Sequence, residues 1–297
     1  MVARRDVLAG FAAAMLVRSG QAAALPEPPH PRVARRYLPG LFGQIHVRVA
    51  VPERGRKGTK PPLLLLHQSP LSGRMFDRLL PLLGDRRLAI AVDTPGYGES
   101  DRPVERPSLA AYGDAILAAV TRVYGPKVDV AGYHTGAALA ADMAARHPKS
   151  VRRLVLISVP HFPEERRTAL LKQLGQKKPI KDDGTHLLPL WTGSYKVRPE
   201  GQTIDDIARI VAEKQRVGEF GEWALLSALE KDLSTALVRI AQPTLLLAPH
   251  DGLEDETRTA AKLIRDGRIE EMPRHAYGLF DAAPAEIASR ILAFLAR

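Results

Sequence analysis

The stretch Asp129-Val130-Ala131-Gly132-Tyr133-His134-Thr135-Gly136-Ala137 decides how this chain is read. Its apolar start predicts a buried strand, its two glycines a sharp turn, and the small residues from Gly136 onward a helix start. In a strand-turn-helix of the G-x-S-x-G pattern, the third residue sits on a strained turn that pushes its side chain into the active site. Here that residue is His134 where a serine is expected. The scaffold points to an enzyme, while the decisive atom has changed.

Around this turn, strand-like and helix-like segments alternate from Tyr37 onward. Gln44 to Val51 alternates polar and apolar residues, and Leu63-Leu64-Leu65-Leu66 behind Pro61-Pro62 reads as a fully buried strand. Arg74 to Leu83 predicts a short helix, Leu88 to Val92 a buried strand, and Ser108 the N-cap of a helix through Val123. After the turn come a helix over Gly136 to Arg146 and a strand over Val151 to Val159. Such alternation predicts a mainly parallel sheet covered by helices. Residues 160–236 lack any strand as apolar and are divided by Pro179, Gly184, Pro189, Gly193, Pro199 and Gly201, which reads as an inserted helical lid. The sheet resumes at Pro243 to Ala248, followed by a helix over Glu256 to Ile264, a strand over Arg268 to Met272 and a terminal helix over Pro284 to Leu295.

The 297 residues are 45% hydrophobic, enough for a substantial core. Lys and Arg number 43 against 33 Asp and Glu, but the excess of +10 is spread along the chain with no basic run carrying interleaved aromatics. A solvated basic surface accounts for it, and a nucleic-acid partner is not expected. Cysteine is absent, which removes disulfides, thiolate metal sites and a cysteine nucleophile. Gly96-x-Gly98 lacks the third glycine and helix start of a dinucleotide loop, so no cofactor is expected. At the N-terminus, Arg4-Arg5, an apolar run from Val7 to Val17 and Ala22-Ala23-Ala24 have the form of a twin-arginine export signal. The run is too short to span a bilayer permanently. The expected organisation is a signal peptide over 1–24, a proline-rich tether over 25–36, a core formed by 37–159 and 237–297, and the lid over 160–236. That places the protein in the periplasm or outside the cell; a cytoplasmic protein with an N-terminal extension is the alternative.

Four motifs fall in a telling order: Leu66-His67-Gln68-Ser69-Pro70, Asp93-x-Pro95-Gly96-x-Gly98-x-Ser100-Asp101, the Gly132 to Gly136 turn, and His275 before the last helix. With them, residues 37–297 resemble the α/β-hydrolase fold family. The resemblance implies a catalytic set in the order nucleophile, acid, histidine. The matching positions are His134, Asp251 after Leu245 to His250, and His275 in Met272-Pro273-Arg274-His275-Ala276. It also implies an oxyanion site built from the backbone N–H groups of Thr135 and Ser69, beside Gln68, which replaces the glycine common in that loop. His67 reads as packing beneath the loop, and Tyr133 as a pocket wall.

A serine hydroxyl needs a base to remove its proton, whereas a neutral imidazole already has a lone pair. Four readings follow for His134. It attacks a carbonyl directly while Asp251-His275 activates water; it binds or polarises substrate while the Asp251-His275 pair is general base; it belongs to a site that binds without turnover; or it joins His275 and Asp251 as a two-histidine, one-carboxylate metal set. The expectation is hydrolysis of a small organic ester, amide or C–C bond by the Asp251-His275 pair with His134 at the turn, without metal. A lyase, a cofactor-free oxygenase-like enzyme or a ligand-binding pseudoenzyme is the alternative. The lid's Trp191, Tyr195, Phe220 and Trp223 read as its own core, and Lys172, Lys177, Lys178 and Lys181 as solvated surface.

Overall fold

Leu63–Leu66 form a wholly buried strand whose alternate side chains feed two different cores: Leu64 and Leu66 face one, Leu63 and Leu65 the other. Each buried leucine contributes roughly 1.5–3 kcal/mol by leaving water, which is why a strand this apolar sits at the centre of the sheet. The computed structural model describes residues 33–52, 60–174 and 180–297. Its strands are β1 (Val33–Gly40), β2 (Gly43–Ala50), β3 (Leu63–Leu66), β4 (Ala89–Val92), β5 (Val128–Tyr133), β6 (Val151–Ile157), β7 (Thr244–Pro249) and β8 (Gly267–Met272). They form one sheet in the order β1-β2-β4-β3-β5-β6-β7-β8. β1 and β2 are antiparallel to their neighbours, and β4 through β8 run parallel.

The helices are α1 (Leu80–Gly84), α2 (Leu109–Tyr124), α3 (Thr135–Arg146), α4 (Glu164–Leu174), α5 (Leu188–Lys196), α6 (Ile204–Val217), α7 (Trp223–Leu229), α8 (Ser234–Leu237), α9 (Glu254–Leu263), α10 (Leu279–Ala282) and α11 (Pro284–Leu295). Ile116 of α2, Ala141 of α3 and Ala260 of α9 join the core on one face, while Leu83 of α1, Phe280 of α10 and Ile291 of α11 fill the other. Ser108 accepts the Ala111 N–H at 3.2 Å and caps α2.

Two local expectations change. The helix expected over Arg74 to Leu83 is a short 3-10 turn (Gly73–Phe76) followed by α1, because Pro81 lacks an N–H and fits only a helix's first turn. β1 begins at Val33, inside the segment expected as a tether. Its outer residues Arg35 and Arg36 are exposed, and charge on an edge strand hides the alternation by which a strand is recognised. Residues 1–24, read as a signal, and 25–32 of the tether lie outside the described residues. Among the described residues, no helix is long and apolar enough to cross a membrane.

Helices α4 to α8 stand between β6 and β7. A Thr203–Asp206 capping box starts α6, which is tied to the core where Arg78 donates to Asp206 at 2.9 Å and Ser72 donates to Glu213 at 2.5 Å. The buried Tyr97 hydroxyl donates to the Gly221 carbonyl at 3.1 Å and accepts the Ala224 N–H at 2.9 Å. Phe220 and Trp223 pack edge to face at 4.9 Å, and Arg102 lies over Phe220.

Candidate active site

β5 ends at Tyr133 and α3 begins at Thr135, so the chain must reverse within the single residue His134. That residue takes φ 50°, ψ −117°, a conformation that L side chains rarely adopt and that costs about 1–3 kcal/mol. The strain is held by its surroundings. The His134 N–H donates to the Ile157 carbonyl at 3.0 Å, and the two glycines let backbone approach backbone. A Cβ on Gly132 would lie 2.1 Å from the Gly136 carbonyl oxygen, and one on Gly136 would lie 2.1 Å from that of Leu66. The same contact brings the Leu66-His67 segment over the start of α3.

His134 Nε2 lies 2.9 Å from Asp251 Oδ2. That oxygen also accepts the Tyr133 hydroxyl at 3.0 Å and the Ser158 hydroxyl at 2.6 Å, while Oδ1 is buried with no hydrogen-bond partner among the described residues. An ionised carboxylate only accepts, so the network assigns the ring proton to Nε2 and the lone pair to Nδ1. Burial by itself would raise the Asp251 pKa. The hydrogen bond from His134, with those of the Ser158 and Tyr133 hydroxyls, instead carries it below the usual carboxylate value. Ser158 reaches this oxygen from the end of β6 with a φ of 53° and its N–H on the Leu247 carbonyl. Burial first, and then the Asp251 charge, push the Tyr133 phenol well above its ordinary pKa, so it stays a donor.

His275 is elsewhere. The loops carrying Asp251 and His275 adjoin, with the His250 N–H donating to the His275 carbonyl at 2.6 Å. Yet His275 Nε2 faces Glu286 Oε2 at 3.0 Å, in a network that Arg290 extends to Glu270. The expected Asp251-His275 pair is therefore replaced by Asp251-His134. The turn lifts His134 to within reach of the acid, and three donors already occupy the one bonded oxygen of Asp251. Among the described residues, no three histidine, aspartate or glutamate side chains are arranged to hold a metal ion.

The early loop has His67 at its base. Its Nδ1–H donates to the Gln68 carbonyl at 3.0 Å and Nε2 accepts the Thr94 N–H at 3.0 Å, so the ring is neutral, and burial lowers its pKa. Gln68 is engaged through that carbonyl, and among the described residues the Ser69 hydroxyl reaches only Tyr97, at 3.3 Å. Thr135 is the first residue of α3, where a backbone N–H has no intrahelical acceptor. Its side chain is buried.

Sequence reasoning missed Ser158 and Tyr277 and undervalued Tyr133. The Tyr277 ring stands 5.5 Å from that of His134, and Tyr133 packs on His134 at 4.2 Å. A polar residue closing an apolar strand was the available signal for Ser158; Tyr277 had none beyond lying two residues after His275.

The model of the α/β-hydrolase fold family matches residues 61–192. Together with the sheet order and the strand-turn-helix, the match establishes that this chain has the α/β-hydrolase fold. The AB hydrolase superfamily protein YisY of Bacillus subtilis (strain 168) is 27% identical over 257 residues, covering 78% of this chain and 91% of that protein. The 2-(acetamidomethylene)succinate hydrolase of Mesorhizobium japonicum is 25% identical over 224 residues, covering 72% and 78%. Among solved structures, an epoxide hydrolase from an endophytic Streptomyces superposes with a TM-score of 0.74 at 18% identity, covering 89% of this chain and 95% of that one.

Proposed function

We propose that this protein hydrolyses a small organic ester, amide or C–C bond with His134 as general base, oriented by Asp251. The observation that carries the reading is the 2.9 Å contact of Nε2 with an acid oxygen that accepts two further hydroxyls. It leaves Nδ1 as the basic nitrogen, able to take a proton from a water attacking the substrate carbonyl. The backbone N–H groups of Thr135 and Ser69 are the donors for the oxyanion that forms. The arginine pair and apolar run of residues 1–24 support a further part of the proposal, that the protein acts after export.

The same lone pair favours a second reading, attack by Nδ1 to give an acyl-imidazole. The two diverge under hydroxylamine: an acyl-imidazole partitions to hydroxamate, whereas direct water attack gives acid alone. A panel of esters, lactones and amides, run beside His134→Ala, tests the shared claim. His134→Ala is expected to lower turnover by about 10³-fold, within the range for loss of a positioned base; activity equal to wild type in that variant sinks both readings.

His275→Ala separates this proposal from the arrangement expected from motif order. With His275 on Glu286, the variant's kcat stays within about threefold of wild type, under roughly 1 kcal/mol of barrier. A thousandfold loss would mean that His275 returns to Asp251 during turnover.

A further inference from the structure

The C-terminal loop expected to deliver His275 delivers a different side chain. Tyr277 comes 5.5 Å from His134, ring centroid to ring centroid, with the planes tilted by 40°. Its position is built in from both sides. Gly278, at φ 76°, lies so close to the lid that a Cβ there would meet Gln202 and Pro199 at about 3 Å. Just beyond, Phe280 packs edge to face on Tyr133 at 5.2 Å and on Phe76 at 4.9 Å. The ring is half-buried, and its hydroxyl makes no hydrogen bond among the described residues. A phenol fixed beside a catalytic imidazole, without a structural partner, is free to bond substrate.

We infer that Tyr277 is a catalytic residue, the proton donor to the leaving oxygen opposite His134 as base. The inference rests on the water-activation reading above. His134 Nδ1 removes a proton from water as the water oxygen bonds to the carbonyl carbon and the carbonyl electron pair moves to oxygen. When that pair returns, the bond from carbon to the alkoxy oxygen breaks. The Tyr277 hydroxyl gives its proton to this oxygen, and the imidazolium returns its own to the tyrosinate. Ester and water become acid and alcohol, and both side chains are restored. Burial, then the charges of Asp251 and Glu254, hold the phenol protonated beyond its ordinary range, so the donor is present at neutral pH.

A donor to the leaving group matters when that group leaves poorly. Ethyl butyrate and p-nitrophenyl butyrate share an acyl part and differ in this respect. Tyr277→Phe is expected to lower kcat for ethyl butyrate by about 10²-fold, the lower bound for general acid catalysis, and to change p-nitrophenyl butyrate turnover by no more than about threefold, with both KM values steady. In the wild type, kcat for the ethyl ester also falls on the alkaline side as the phenol ionises, and that limb vanishes in Tyr277→Phe. An equal loss on both esters, or none, overturns the inference and leaves Tyr277 as packing. His134→Ala run on the same pair keeps the two claims apart: it removes both activities if the base reading holds, and leaves both if that reading fails.

Discussion

Asp251→Asn is expected to lower kcat by about 10³- to 10⁴-fold with little change in KM, the size of effect produced when the acid behind a catalytic imidazole becomes an amide. An asparagine can satisfy Nε2 as well as the aspartate does, but by donating to it. The ring proton then moves to Nδ1, and the lone pair that the proposed mechanism needs there is gone. Nitrogen NMR of His134 reads this directly as a change of tautomer, independently of any substrate. A variant that keeps the Nε2–H tautomer and wild-type turnover would remove Asp251 from the mechanism.

The substitution also has a signature in stability. Asp251 titrates below its ordinary value in the folded protein. The stability this supplies is fully present above the unfolded-state pKa of about 3.9 and is lost as pH falls through the lower folded value. The wild type therefore exceeds Asp251→Asn in stability at neutral pH, and the gap closes below about pH 4.

Gly136→Ala is expected to destabilise the fold by about 3 kcal/mol or more, the range of severe overpacking. The added carbon would lie 2.1 Å from the Leu66 carbonyl oxygen and 2.8 Å from that of His67, and a backbone wedged between strand and helix cannot rotate aside as a side chain can. Gly193→Ala is the matched control. Gly193 lies within α5 with nothing inside 4 Å of a new Cβ, so alanine there gains roughly 0.5–1 kcal/mol of helix propensity. Thermal unfolding of the two variants should shift in opposite directions. A rise of equal size in both would mean that the close approach at the elbow costs nothing and that only backbone entropy separates alanine from glycine there.

Much of the architecture could be read from the chain because it rests on local physics. Leu63–Leu66 had to be central, since a strand apolar on both faces is stable only between two layers. The terminal helix Pro284–Leu295 and the cap at Ser108 follow from residues adjacent to the features they create. β1 could not be read in the same way. Its consecutive exposed residues Arg35, Arg36 and Tyr37 show no alternation, and it becomes a strand through its register with β2.

The site divides along the same line. Sequence alone determined that a histidine occupies the turn between β5 and α3, that Asp251 follows the end of β7, and that glycines at 132 and 136 are needed to bring strand and helix together. Only the tertiary structure decided the pairing. Motif order places His134, Asp251 and His275 near one end of the sheet, but hydrogen bonds answer to distances of a few tenths of an ångström, set by loops whose neighbours are remote in the chain. His275 meets Glu286, Ser158 and Tyr133 meet Asp251, and Asp251 meets His134 across 117 residues of sequence. Which imidazole the acid holds is a property of the packed loops, because no local pattern records where a side chain's partner will arrive from.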